Sequence, residues 1–577
     1  MSDVRPAPAD LVFRGGRVLT LDRAGTDATA IAVRGDRIAA VGRDSEVQAL
    51  IGAATSVVEL AGRTVMPGLI DGHAHLDREG LKALLPSLAG CRSIGAIVER
   101  LREEAAHTPP GRWIVTMPIG EPPEYGWSEA MFDEGRLPDR HDLDRASADH
   151  PILVRCAWGY WPGQVPTVSI ANSAALAAAG VDRHTRSPSP RLRIDVDAHG
   201  EPTGRFFEDS FQPLAEFTLF RRAPHFTADD RARTLAASMR TYNAVGTTGI
   251  FEGHGVAPEV IDAYRHTRRA GRQTVRARLV VSAGWSDATE ADVVRWVREQ
   301  AARLGGKGEG DEWLRVSGVF AELETEPDDA RLRARCAPQT GWAGFHYDAG
   351  LPRPALRALL HAAAREKLQV CGIQTGMADL FDEVARSTPI AGLRWVVAHP
   401  ATLDRNQIAS MRDNGIVVTA LTGAYIWRRA SAVLFRIGAE QEETICPLRS
   451  LLDAGVPVSL ASDNVPVSLW PCVWQSVERI DRRTGRPIAP GQRISREEAL
   501  RCASTHGAWL SFDEDQRGTL QPGKLADFIV LADDPLTVAA ERLAGLLPEM
   551  TVVGGKTVWS AATGSSPGSP SAPATTA

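Results

Sequence analysis

The sequence predicts an α/β chain: a (β/α)8 TIM barrel, a composite β-sandwich built from both termini, and a large insertion after the first barrel strand. Two observations predict it. Eight short apolar runs recur along the middle of the chain, several of them after amphipathic stretches, and repeated strand–helix units imply a parallel sheet. Both ends instead carry closely spaced strand-and-turn patterns, each too small to bury a core alone.

In chain order, residues 11–20 read as a strand, a Gly15-Gly16 turn and a second strand. Residues 30–41 repeat the form around Gly35-Asp36, and residues 57–65 add another pair. The matching pieces at the far end are a turn then a strand over 518–531, and a hairpin over 551–559. The sandwich is therefore expected from residues 9–65 and 515–560, with the barrel over 66–514. Barrel strands are expected in 65–70, 246–251, 278–282, 314–320, 368–373, 393–398, 415–420 and 456–461. Before the fifth run, Leu356, Leu359, Leu360 and Ala363 follow the i, i+3, i+4, i+7 spacing of a helix with one apolar face. The stretch 81–240 breaks the alternation, is rich in Pro, Trp and Arg, and is too long for a simple loop. It reads as an insertion over the barrel mouth. Residues 561–577 are wholly Ala, Thr, Gly, Ser and Pro, and are expected to be a disordered tail.

Composition narrows the function. The chain has 577 residues, a net charge of −6 and 24% charged residues. Without a basic excess, no nucleic-acid partner is expected. No apolar run of 18 residues marks a membrane span, and the polar N-terminus carries no secretory pattern. Seven scattered cysteines without a Cys-x-x-Cys pair point to reduced thiols and a cytoplasmic location. The expected partner is a small-molecule substrate, and homo-oligomerisation is compatible with the sequence.

The strongest chemical signal is Pro67-Gly-Leu-Ile-Asp-Gly-His73-Ala-His75-Leu76-Asp77. Strand alternation puts His73 and His75 on one side. Two imidazoles so spaced at a strand's C-terminal end can reach one divalent ion at about 2.0–2.1 Å. Two further apolar runs end in His399 and in Ser462-Asp463-Asn464. A carboxylate there can bind a metal and also accept a proton, so Asp463 is both a ligand and a catalytic candidate. Glu252 and His254 repeat the two-residue spacing on another run, as candidates to complete the metal shell or act on the leaving group. Asp77 could orient a ligand histidine. His346 is a candidate substrate contact. The aromatics Trp113, Trp127, Trp158, Tyr160 and Trp161 in the insertion suit an apolar or ring-bearing substrate, with Trp161 as the candidate contact.

These motifs resemble the amidohydrolase superfamily of metal-dependent hydrolases, in its amidohydrolase 3-type branch. The resemblance extends through Ala171-Asn-Ser-Ala-Ala-Leu176, Gly200-Glu-Pro-Thr-Gly204, Val245-Gly-Thr-Thr-Gly249, Ala398-His399, and the segments 455–463 and 518–527. It implies a (β/α)8 barrel with a composite sandwich, and hydrolysis of a C–N bond by metal-activated water. Two departures stand out. Phe320 occupies the position of the family's metal-bridging lysine, which makes Glu322, next on the same face, the candidate replacement ligand. Ile373 stands where the fifth-strand histidine is expected, leaving Gln374 as a candidate for binding substrate.

The expectation is thus a hydrolase of an amide, cyclic amide or amidine, with His73, His75, His399, Asp463 and Glu322 as metal ligands. One ion is expected rather than two. Zinc is the first choice, and Fe2+, Mn2+ or Co2+ would also suit the donors. The alternatives are an aminohydrolase (deaminase) of a heterocycle and a non-catalytic binding protein on a decayed scaffold.

Overall fold

The computed structural model describes residues 7–157, 166–210, 212–334 and 343–562. Eight parallel strands form the barrel sheet, in the same order in space as in the chain: Leu69–Asp71, Thr247–Val256, Arg276–Val281, Leu314–Leu323, Gln369–Ile373, Val396–Ala398, Val417–Ala420 and Val458–Leu460. The sixth to eighth are short, rich in β-branched residues and buried throughout, as strands covered by crossover helices must be. The first and eighth strands form no ladder. The barrel is closed there by Gly72 N–H donating to Leu460 O at 2.9 Å and Asp463 N–H donating to His73 O at 2.9 Å. The helix Arg353–Arg365 buries Leu356, Leu359, Leu360 and Ala363 in the large core between barrel and helices.

The apolar run 65–70 is not one barrel strand. Thr64–Pro67 pairs antiparallel with Phe528–Leu531, Met66 opposite Ile529, while Leu69–Asp71 pairs with the second barrel strand. Gly68 makes the crossing: a Cβ there would lie 2.2 Å from Thr248 Cγ2.

The terminal sheets exchange strands in a way the turn pattern does not reveal. Residues 11–20 do not form a hairpin. Leu11–Arg14 lies in a four-stranded sheet between Ala30–Arg34 and Ser56–Glu59, whereas Arg17–Leu19 lies in a six-stranded sheet. Ser56–Glu59 and Thr64–Pro67 are likewise divided between the two sheets. The six-stranded sheet runs Lys556–Ser560, Pro548–Val553, Phe528–Leu531, Thr64–Pro67, Arg17–Leu19, Asp27–Ala28, so three strands from the C-terminal end adjoin three from the N-terminal end, joined by the pairing of Phe528–Leu531 with Thr64–Pro67. Phe13 of one sheet meets Phe528 of the other edge-to-face, centroids 5.1 Å apart, inside a shared core with Ile31, Val65 and Val552.

The stretch 81–240 contains its own five-stranded sheet, ordered Leu192–Val196, Pro202–Glu208, Thr167–Ala171, Ile152–Val154, Ile114–Thr116. It has its own apolar clusters, one around Ile97, Leu101 and Ile152 and one around Leu153, Leu176 and Phe206. It meets the barrel through Leu81, Met117, Tyr125 and Phe217, with Phe217 packed on Tyr347 at 4.2 Å. Residues 563–577 lie outside the described residues. Among the described residues no helix is long and apolar enough to cross a membrane.

Candidate active site

Four histidines and one aspartate converge at the C-terminal ends of the barrel strands. His73 and His75 follow the first strand, His254 stands near the end of the second, His399 follows the sixth and Asp463 the eighth. Donor atoms of His73, His75 and His254 lie within 4.8 Å of one another, and so do those of His73, His399 and Asp463. The ring centroids of His73 and His399 are 4.0 Å apart, those of His73 and His75 5.1 Å. His73 belongs to both trios.

Backbone conformation aims these groups. His399, Asp463 and Asn464 have φ of 54°, 51° and 60°. Such left-handed geometry costs about 1–3 kcal/mol for a non-glycine residue and is maintained only where the surroundings enforce it. The second strand carries a bulge: Glu252 pairs with Leu279 and Val256 with Val281, four residues against two. The bulge breaks the two-residue alternation, so Glu252 and His254 do not act as a pair. His254 enters the donor cluster. Glu252 accepts Leu76 N–H at 2.7 Å and Tyr264 O–H at 2.8 Å, with its other oxygen 3.6 Å from His75 Nδ1. Gly253 between them is required by close approach, because a Cβ there would lie 2.6 Å from His73 Nδ1.

Asp71 locks the first strand to the eighth, accepting the His73 N–H at 3.1 Å, the Ser462 N–H at 3.0 Å and the Ser462 hydroxyl. Burial raises its pKa to about 7. Asn464 accepts His75 N–H and the Tyr242 hydroxyl on Oδ1.

The electrostatics suit metal ligation. Burial, reinforced by neighbouring imidazoles and Arg78, holds the His73, His75 and His254 pKa values well below the usual histidine range. Burial lowers that of His399 against the pull of Asp463. Neutral imidazoles are the form that binds metal. Burial raises the Asp463 pKa, opposed by His399, Arg78, Arg428 and Arg429. Burial and then Asp77 raise Glu252 to about 8. Both ring nitrogens of His73 and Asp463 Oδ2 are buried without a hydrogen-bond partner among the described residues. Orphaned buried donors and acceptors are costly, and a divalent cation at this point would take up one ring nitrogen of His73 and neutralise the buried Asp463 carboxylate beside it. The imidazole and carboxylate donor set fits Zn2+ and similar first-row ions.

The other expected site residues separate. Glu322 is half-buried, opposite Gly350 in a short extension of the fourth strand, and stands outside both donor trios among the described residues. Phe320 takes the inward position instead, its ring 5.3 Å from His254, so the metal-ligand expectation for Glu322 has no geometric support. Gln374 is exposed just past the fifth strand with φ 74°. His346 is half-buried in the loop after the fourth strand, its Nδ1 buried without a partner among the described residues. Trp161, with Trp158 and Tyr160, lies outside the described residues. Asp77 pairs with buried Arg231 rather than with a ligand histidine.

Sequence reasoning missed Phe345, whose ring stacks on His254 at 4.2 Å and 4°, and Arg78, whose guanidinium lies 5.6 Å over Phe345. A clue to Arg78 was its place in the short helix that follows His75. Phe345 carried no local signal.

Neutral imidazoles and a carboxylate at the catalytic mouth of a parallel barrel place the molecule among metal-dependent hydrolases of the (β/α)8 class. The model of the amidohydrolase family matches residues 56–559, and the chain belongs to that family, whose members hydrolyse C–N bonds of small molecules. It is similar to the N-substituted formamide deformylase of Arthrobacter pascens, 27% identical over 95% of this chain and 97% of the relative. It is 24% identical to the protein LONG AFTER FAR-RED 3 of Arabidopsis thaliana, over 96% of this chain and 92% of the relative. Its fold matches that of an uncharacterised metal-dependent hydrolase from Pyrococcus furiosus with a TM-score of 0.66 and 19% identity, covering 91% of this chain and all of the other.

Proposed function

We propose that the chain hydrolyses the C–N bond of a small N-acyl amide with one divalent ion, zinc first, held by His73 together with His75, His254, His399 and Asp463. The observation that carries this reading is His73, common to both donor trios with both ring nitrogens unpartnered among the described residues. With Phe320 in place of a bridging lysine and a single carboxylate across the two trios, one ion is favoured over two. When bound, such an ion polarises the acyl oxygen and acidifies water.

The chain's own residues account for the proton movements. Asp463 is tied to His75 Nε2 through Oδ1 at 2.8 Å and keeps Oδ2 free of protein partners among the described residues. Oδ2 takes the proton as water oxygen bonds to the acyl carbon, and returns it to the nitrogen as the C–N bond breaks, giving a carboxylic acid and an amine. Glu252 stands behind His75 and orients the ring, as outer carboxylates do for metal-binding histidines. Phe345 and Phe320 wall the site beside His254 and suit an apolar or ring-bearing group. The formamide deformylase relative supports an acyl amide as the scissile group. The six described cysteines are free and buried, which suits a reducing cytoplasmic setting.

The test is metal analysis of protein purified without added metal, paired with His73→Ala. The expected result is about one equivalent of zinc in the parent. The variant should hold none and hydrolyse no N-formyl or N-acetyl amide, while its circular dichroism is unchanged. Stoichiometric metal in the variant would remove His73 from the centre.

A further inference from the structure

The fold pairs most of its buried arginines. Arg155 is bonded to Glu216, Arg231 to Asp77, Arg276 to Asp527, Arg278 and Arg517 to Asp513, and Arg479 to three backbone carbonyls. Arg517 leaves only Nη1 unmatched, whereas two arginines beside the donor cluster, Arg78 buried and Arg428 partly buried, each leave two buried nitrogens without a partner among the described residues. Arg78 is 3% exposed, and its Nε and Nη2 have no hydrogen-bond partner among the described residues. Arg428 buries both Nη1 and Nη2 without a partner among the described residues, while its Nε donates to Gly423 O at 3.3 Å. Arg428 ends the helical turn that follows the seventh strand, next to the strand that carries Asp463. Arg78 lies over Phe345, which stacks on His254.

Leaving a guanidinium buried and unpaired is strongly unfavourable, and its planar fork is built to receive a carboxylate. The nearby acids do not supply one among the described residues. Glu124 is engaged by Arg482 with both oxygens at 2.8 Å, and Asp463, whose Oδ1 is held by His75, forms no hydrogen bond to either arginine. Arg429 adds a third positive charge beside Asp463. Burial pulls the Arg428 pKa down to about 10, which still leaves it a cation at neutral pH.

We infer that the substrate carries a carboxylate, received by the free nitrogens of Arg428 and Arg78 while its amide lies against the histidine cluster. The inference deepens the amide-hydrolase reading and rests on it only for what happens to the anchored molecule. It separates this chain from an enzyme for neutral N-substituted formamides and points to amides of amino-acid-like or other acidic amines.

The test is calorimetric binding of phenylacetate and of phenylacetamide to the metal-loaded protein, the two probes differing only in charge. Phenylacetate is expected to bind at least about tenfold more tightly, and Arg428→Gln and Arg78→Gln each to remove about tenfold of that preference. Arg428→Lys, which keeps the charge and loses the fork, should fall between. Equal affinity for the two probes overturns the inference. So does phenylacetate affinity undiminished in Arg428→Gln, because the carboxylate would then be bound by the metal. Should one glutamine variant fail to fold, the other and Arg428→Lys still decide the matter. A hydrolysis assay of N-formylphenylalanine against its amide separates the two readings: charge-selective binding with neither compound hydrolysed overturns the amide-hydrolase assignment and leaves the anion site standing.

Discussion

Asn464 and His75 grip each other twice. The His75 N–H donates to Asn464 Oδ1 at 2.9 Å, and Asn464 Nδ2 donates to the His75 carbonyl at 2.8 Å. The same Nδ2 donates to Glu79 at 2.7 Å, and Tyr242 O–H donates to the same Oδ1. One side chain from the end of the eighth strand therefore sets the path of the histidine pair that follows the first.

Asn464→Ala removes that clamp without touching a donor atom. Metal affinity should fall about 10–100-fold, as it does when groups behind ligands are lost. Competition with a chromophoric chelator measures it, and thermal melting of the metal-loaded protein checks the fold. Unchanged affinity would show that the strand ends alone position His75.

The eight apolar runs were legible because buried parallel strands are written as short β-branched stretches, as in Trp395-Val-Val-Ala and Ile416-Val-Val-Thr-Ala. What failed was sheet membership. Residues 65–70 are one apolar run serving two sheets, and no periodicity marks the crossing at Gly68. Leu11–Arg14 and Arg17–Leu19 look like a hairpin because a turn between strands reads the same whether the strands pair or diverge. In the insertion, Pro202–Glu208 alternates buried and half-buried residues, so its strand hides among polar side chains. At the site, the HxH pair, His399 and Asp463 were legible from strand-end placement. The separate directions of Glu252 and His254 were not, because a bulge resets the alternation that the sequence is read by. Phe345 reaches His254 only through the tertiary path of its loop.

Ending the chain before Gly518 removes Phe528–Leu531, which lies between Thr64–Pro67 and Pro548–Val553. It also removes Asp527, whose carboxylate holds buried Arg276 of the third barrel strand at 2.6 and 3.0 Å. Breaking one such buried pair costs about 3–5 kcal/mol, a large share of the stability of an ordinary domain. The truncated chain should be insoluble or melt without a cooperative transition in calorimetry. A cooperative melt at the parent temperature would mean that the barrel does not depend on the shared sheet.

Glu208 gives the insertion a pH response of its own. It is buried, accepts the Ser169 hydroxyl at 3.0 Å and the Ala215 N–H at 3.2 Å, and burial raises its pKa to about 7. A carboxyl with a raised folded pKa binds its proton more tightly in the folded state. Its contribution is therefore complete below the unfolded pKa of about 4.3 and is lost as pH rises through about 7. Hydrogen exchange of the amides in Thr167–Ala171 and Pro202–Glu208 should show weaker protection at pH 8 than at pH 5, by up to a few kcal/mol after correction for intrinsic rates. Glu208→Gln, neutral at both pH values, should flatten the difference. A variant whose protection falls as steeply as the parent's would place the responsible group elsewhere.

Asp463→Asn tests the proton acceptor. The amide keeps the size of the carboxylate and one oxygen, so the His75 contact at 2.8 Å has a partner in one amide orientation, and the left-handed backbone at φ 51° suits asparagine at least as well as aspartate. Three of the four imidazoles, His73, His254 and His399, are untouched, so most of the metal should remain. What disappears is the charge on Oδ2, which faces the cluster without a protein partner among the described residues. A group that carries the proton only in the transition state contributes to kcat rather than to ground-state binding. The expected loss is about 10²–10⁴-fold in kcat with KM changed little. Metal content and kcat are to be measured on the same preparation, because an empty site would mimic the loss. Full metal occupancy with an undiminished kcat would move the proton acceptor away from Asp463. Glu252 would then be the next acid to change, since its Oε2 stands 3.6 Å from His75 Nδ1 and burial holds its pKa near 8. Glu252→Gln in the Asp463→Asn background would then be expected to abolish the remaining rate.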